Sequence, residues 1–311
     1  MSGELVDRLR DQVVGRRREL ELVVAALMAD RHIVLEGPPG TGKSTLLRAV
    51  AHELGIGFEF VEGNAELTPA RLVGHFDPAR VLTDGYSPDV FVDGPLITAM
   101  TSGSLLYVEE INRIPEETLN VLITVMSEQE LHVPRLGRVA CVAGFRLVAA
   151  MNPFDAVGTA RISGAVYDRM CRLSMTYQSA EDEVAIVQRA VQADGAPTSV
   201  SDLWIERIVE VVRRTREHPD LRVGSSVRGA IDASVVASTL SSLRGLPPFN
   251  PSVGLDASLI ALSGRVRVRE GSTRTSEEIV TELWQEVFSR VEGGEGDEGK
   301  GSAPTGATNS R

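Results

Sequence analysis

Apolar positions along the chain follow two periods. Short continuous apolar runs at 32–35, 58–61, 105–108, 147–151 and 172–175 read as five strands. Unbroken runs of that length suit parallel strands covered on both faces. Between them the period changes to that of a helix. Leu20, Val23, Val24 and Leu27 share one face of a helix over 19–29, and Leu119, Leu122, Ile123 and Met126 form a core-facing stripe on one that starts at Pro115 and runs to about 128. Leu5, Val6 and Leu9 carry helical spacing near the start, and further helices are expected over 45–55, ending at Gly55, and over 96–101. From 180 onward no strand pattern is expected, and helical patterns cover 180–193, 202–215, 226–243, 256–266 and 276–290. Strands alternating with helices and then helices alone predict an α/β domain over 1–178 followed by a smaller all-helical domain over 179–290. Residues 291–311 are rich in Gly, Glu and Ser without apolar periodicity, and are expected to be a disordered tail.

Turn residues divide the first domain further. Residues 68–74 read as a short helix stopped by Gly74. Thr83-Asp84-Gly85-Tyr86 then reads as a hairpin turn, with Val90-Phe91-Val92 as its returning strand, so 68–95 is expected to be an insert. A second hairpin is expected at 131–142, around Pro134-Arg135-Leu136-Gly137-Arg138.

One turn carries chemistry. Gly37-Pro38-Pro39-Gly40-Thr41-Gly42-Lys43-Ser44 satisfies G-x-x-x-x-G-K-[ST] in full, after a strand and before a helix opening at Thr45. Glycines let backbone N–H groups wrap phosphate oxygens at a helix N-terminus. Lys43 reaches the β- and γ-phosphates, and the Ser44 hydroxyl ligates Mg2+. The pattern implies a bound nucleoside triphosphate. Glu109 and Glu110 end a buried strand, where parallel sheets bind ligands and successive side chains diverge. Their types suit Glu109 to the Mg2+ shell and Glu110 to an attacking water; a solvated acidic turn is the plainer reading of the pair. Asn152 closes the fourth strand, which should lie between the first and third. Its amide is suited to that water or to a γ-phosphate, although Asn-Pro is also an ordinary turn.

Composition narrows the partners. The 311 residues are 42% hydrophobic and 24% charged with a formal net charge of −11, so the summed field favours neither nucleic acid nor an anionic membrane surface. Cys141 and Cys171 lie in apolar segments without a metal-ligand pattern, and are expected to be small core residues. No secretory h-region or membrane-length apolar run is present, which makes the cytoplasm the expected compartment.

In this order, over roughly 10–290, the motifs resemble the AAA+ ATPases and, within them, the MoxR family. Residues 37–44 resemble its Walker A, Leu105 to Arg113 its Walker B with the following Ile-Asn-Arg, and Ala149-Ala150-Met151-Asn152-Pro153 its sensor 1 strand. The insert and hairpin resemble its helix-2 insert and pre-sensor-1 hairpin, and Val13-Val14-Gly15 its adenine-side segment, which implies Val14 as a nucleotide contact, as the Walker A resemblance implies Thr45 after Ser44. Tyr167-Asp168-Arg169 resembles the segment bearing the arginine finger, implying Arg169 in that role, with Arg161 and Arg172 as rivals and a salt bridge to Asp168 or Glu181 as the plainer use of Arg169. Gly224-Ser225-Ser226-Val227-Arg228 resembles the start of the sensor 2 helix, implying Arg228, with a surface arginine as its plainer reading. The resemblance implies a P-loop three-layer core with a helical lid, ATP and Mg2+ as ligands, a hexameric ring, chaperone-like remodelling of a client protein, and a von Willebrand factor A domain partner. The chain departs from the family where Glu109-Glu110 replaces the usual Asp-Glu, which leaves slow hydrolysis open. An ATP-dependent binding switch, a nucleic-acid-linked regulator and a small-molecule kinase are the alternatives. Acidic charge disfavours the regulator, and Asn152 and Arg228 would have no use in the kinase.

Overall fold

The computed structural model describes residues 2–153, 163–194 and 200–289, and the chain divides after Ser179 into two compact units. Arg161 and the tail expected at 291–311 lie outside the described residues. The first unit begins with α1 (Ser2–Gln12), α2 (Arg17–Met28), β1 (His32–Glu36), α3 (Lys43–Leu54) and β2 (Phe58–Glu62). The insert follows as α4 (Pro69–Val73), β3 (Gly74–Phe76), α5 (Pro78–Asp84) and β4 (Phe91–Asp93), and leads into α6 (Pro95–Ser102). Next come β5 (Leu105–Glu109), α7 (Glu116–Glu128), β6 (Glu130–Val133), β7 (Gly137–Ala140), β8 (Arg146–Met151), α8 (Gly164–Tyr167) and β9 (Met170–Ser174).

Five strands make one parallel sheet in the order β2-β5-β8-β1-β9. As the sequence implied, β8 lies between β1 and β5. Successive residues on these strands point to opposite faces, so the buried runs feed two separate cores. Val34, Leu106, Val108, Leu147 and Ala149 pack with α6 and α7. Ile33, Leu35, Leu105, Tyr107, Val148 and Ala150 pack with α1, α2 and α3. The result is a three-layer α/β core. Leu46, Leu47 and Val50 of α3 are fully buried, each burial contributing about 1.5–3 kcal/mol. That packing fixes the helix whose first turn follows the glycine-rich loop.

Several expectations need correction. Gly85 closes no hairpin: Asp77 caps α5 by accepting from the Ala79 and Arg80 N–H groups, and Gly85 stops that helix at φ 70°. The two insert strands do pair antiparallel, Gly74 with Asp93, but a helix connects them. The second hairpin forms as read, β6 against β7. Cys171 is exposed and Cys141 half-buried, because β9 is an edge strand and Cys141 lies beyond the end of β7.

The second unit contains α9 (Ala180–Ala193), α10 (Asp202–Glu217), β10 (Leu221–Val223), α11 (Val227–Arg244), α12 (Pro251–Leu262), β11 (Arg267–Val268) and α13 (Ser276–Phe288). It is helical but not all-helical. β10 and β11 form a short antiparallel ladder, Leu221 opposite Val268, too short to show a strand period. α12 begins five residues earlier than its apolar pattern suggests, because Asn250 caps it and Pro251 occupies its first turn. Trp204 is fully buried, its indole N–H donating to the Pro248 carbonyl at 3.1 Å, and Trp284 stacks on Phe288 at 4.7 Å.

Candidate functional site

Backbone geometry builds the 37–44 loop. Gly40 and Gly42 adopt φ 75° and 81°, in the left-handed region where side chains are strained. At Gly37 the need is space: a Cβ there would sit 2.3 Å from the Met175 carbonyl oxygen. The loop is held by the Gly37 N–H donating to the Met151 carbonyl and by the Thr41 hydroxyl donating to the Pro38 carbonyl, at 3.1 and 3.0 Å. Lys43 is buried, and its Nζ donates to the Gly37 and Pro38 carbonyls at 2.9 Å each. The cation therefore sits within the loop, satisfied by carbonyls that a phosphate would compete with.

The acidic strand end reaches the same loop. Ser44 Oγ donates to Glu109 Oε1 at 3.1 Å across 65 residues of sequence. A hydroxyl and a carboxylate at that distance form an all-oxygen donor pair, which suits a small hard cation such as Mg2+ that retains several waters. Glu110 follows in the left-handed region, φ 53° and ψ 43°, unusual for a residue with a side chain. Arg113 Nε lies 3.1 Å from its carboxylate. Gly63 makes the turn possible, since a Cβ there would stand 2.4 Å from the Glu110 carbonyl oxygen. Asn152 is half-buried at the end of β8, beside the Met151 carbonyl that receives the Gly37 N–H. Topology thus brings Gly37–Ser44, Glu109, Glu110 and Asn152 to one end of three adjacent strands.

The outlying positions are less uniform. Val14 is half-buried and its carbonyl accepts from Gln178 Nε2 at 2.9 Å, while Thr45 is exposed on the first turn of α3. Arg169 donates to Ser127 Oγ and to the Ala165 carbonyl. Arg172 is committed within its own chain, donating from Nε and Nη2 to Glu36 Oε2. Arg228 is exposed on the first turn of α11 in the second unit.

Three neighbours of the loop escaped sequence reading. Arg16 is 3% exposed and clamps the loop, donating to the Thr41 and Thr176 carbonyls at 3.0 and 2.6 Å. Glu36, directly before Gly37, is 2% exposed and is satisfied by Arg172 and by the Tyr167 hydroxyl at 2.6 Å. Tyr107, fully buried on β5, places its hydroxyl 3.1 Å from Ser44 Oγ. Burial raises the Tyr107 phenol well above its ordinary value, and the Glu109 charge adds to this against the opposing Ser44 hydrogen bond, so it remains a neutral donor. A period of two back from Glu109 would have placed it on the same face; the other two are set by contacts 25 or more residues away.

Residues 32–170 match the AAA domain (dynein-related subfamily). The chain is 30% identical over 271 residues to the uncharacterized protein YeaC of Bacillus subtilis, covering 78% of this chain and 80% of that one. It is also 30% identical over 229 residues to the gas vesicle ATPase GvpN1 of Halobacterium salinarum, covering 68% of this chain and 64% of the relative. Among solved structures, the RuvB Holliday junction branch migration motor of Thermotoga maritima superposes with a TM-score of 0.55 at 18% identity, covering 81% of this chain and 72% of RuvB. At that identity the likeness concerns the fold alone.

Proposed function

The chain belongs to the MoxR family of AAA+ ATPases, and from that membership we propose that it hydrolyses ATP in a Mg2+-dependent manner within a ring of its own copies. The observation that carries the reading is the contact between Ser44 and Glu109, which joins the phosphate loop to the acidic end of β5. Amides of residues 37–44 cradle the phosphates, and Lys43 exchanges its two loop carbonyls for phosphate oxygens. Ser44 and Glu109 would hold the metal, which would supply charge neutralisation to the phosphate oxygens. Glu110, in its left-handed turn after Glu109, aligns the attacking water, and Asn152 contacts that water or the γ-phosphate from the neighbouring strand. Arg169 reaches the γ-phosphate of an adjacent subunit, and Arg228 couples the helical unit to nucleotide state.

We further propose a hexameric ring that remodels a client protein together with a von Willebrand factor A domain partner, a reading supported by the resemblance of the motifs to the family. The end of α5 at 84–85 and the β6–β7 hairpin tip at 134–138 are proposed as client contacts because exposed loops on a rigid scaffold commonly bind. The cytoplasm is the proposed compartment; among the described residues no helix is long and apolar enough to cross a membrane. A binding switch with little hydrolysis is the second reading, favoured by the Glu110–Arg113 ion pair and by Glu109 in place of aspartate. Phosphate release decides between them. Glu110→Gln is expected to retain ATP and lose about 10²–10⁴ in turnover. Equal turnover in the two proteins would refute the assignment, and wild type that binds ATP without releasing phosphate would support the switch.

A further inference from the structure

Tyr107 has no part in the site as read above, yet its hydroxyl is placed among the proposed metal ligands. β5 sends Tyr107 and Glu109 to one face of the sheet, two residues apart, and α3 brings Ser44 to that face. The phenol ring is fixed by packing. Phe58 and Phe60 on β2 lie with ring centroids 5.8 and 5.7 Å from it, and the Arg48 guanidinium caps those two rings at 4.9 and 5.5 Å. These contacts and its full burial confine the ring, which leaves the hydroxyl proton as the most adjustable part of the side chain.

Donor accounting then gives the direction of each bond. Ser44 has one hydroxyl proton, and it goes to Glu109 Oε1. With that proton given to Glu109, Tyr107 is the donor in the 3.1 Å contact with Ser44 Oγ, and its phenol also lies within hydrogen-bond reach of the Glu109 carboxylate. Ser44 Oγ keeps one lone pair, with its direction fixed by the other two bonds. We propose that Tyr107 is a positioning residue for the divalent cation, locking the Ser44 hydroxyl so that its remaining lone pair and the Glu109 carboxylate face one point. A glutamate at 109 has one more rotatable bond than an aspartate, and an extra fixed donor beside it restores the order that the longer side chain loses. The inference rests on the metal site proposed above.

Tyr107→Phe removes one oxygen and keeps every ring contact. The readout is equilibrium binding of a fluorescent non-hydrolysable ATP analogue, titrated with Mg2+ and also measured in EDTA. The expected result is a rise of roughly five- to tenfold in the Mg2+ half-saturation concentration, the scale of one lost hydrogen bond, with affinity in EDTA unchanged. A shift below twofold would overturn the inference. So would an equal loss of affinity in EDTA, which would mark a metal-independent, structural role for the hydroxyl. If wild type itself shows no Mg2+ dependence, the metal-site reading falls and the inference with it; a Mg2+-dependent wild type matched by Tyr107→Phe overturns the inference alone.

Discussion

His32 opens β1, the strand that ends in the phosphate loop, and its protonation is expected to unfasten that strand. The imidazole is 8% exposed, and its Nδ1 accepts the Leu147 N–H at 2.9 Å, tying β1 to β8. Burial, helped by the neighbouring Arg31 charge, lowers its pKa from 6.5 to about 4. The folded value lies below the unfolded one, so the stabilisation is complete above about pH 6.5 and is lost as the pH falls toward 4. The gap corresponds to roughly 3 kcal/mol at most, of which about 2 kcal/mol is gone by pH 5. Urea unfolding at pH 7.5 and pH 5, compared between wild type and His32→Asn, isolates this group from the titrating carboxylates. Asparagine offers an acceptor for the Leu147 N–H but cannot take up the proton. Wild type is expected to lose about 2 kcal/mol more than the variant between the two pH values. Equal losses would refute the reasoning.

Other variants test the loop and the arginines. Gly37→Ala places a methyl group 2.3 Å from the Met175 carbonyl oxygen; it is expected to cost about 1–3 kcal/mol in urea unfolding and to weaken nucleotide binding measured by fluorescence, whereas unchanged affinity would show that the loop tolerates the shift. Arg172→Ala leaves the buried Glu36 with Tyr167 alone, so a lower melting temperature is expected. Arg169→Ala is expected to melt near wild type and to lose about 10³-fold or more in phosphate release; the opposite pattern would exchange the two roles. Lys43→Ala is expected to lose ATP-promoted assembly in analytical ultracentrifugation, and assembly equal to wild type under saturating ATP would separate oligomer formation from nucleotide.

The sequence by itself determined the elements and the order of the motifs. Residues 37–44 specify their turn through Gly40 and Gly42, each at a positive φ, and the runs at 32–35, 105–108 and 147–151 specify strands because each is apolar on both faces. These signals are local: a glycine's freedom or a helical period is expressed within a few residues of where it is written. The tertiary structure alone decided what meets across the sheet. Ser44 finds Tyr107 and Glu109, Arg16 finds Thr41 and Thr176, and Glu36 finds Tyr167 and Arg172 only because β1, β5, β8 and β9 settle in one particular order. Asp84-Gly85 likewise carried a turn signal that served a helix end as well as a hairpin, and the cap at Asp77 made the choice. The β10–β11 ladder had too few residues to show a period and depends on the helices around it. The phosphate loop was therefore legible from its own residues, whereas the partners that hold its serine, its backbone and its preceding carboxylate lie 25 to 160 residues away and could be read only from packing.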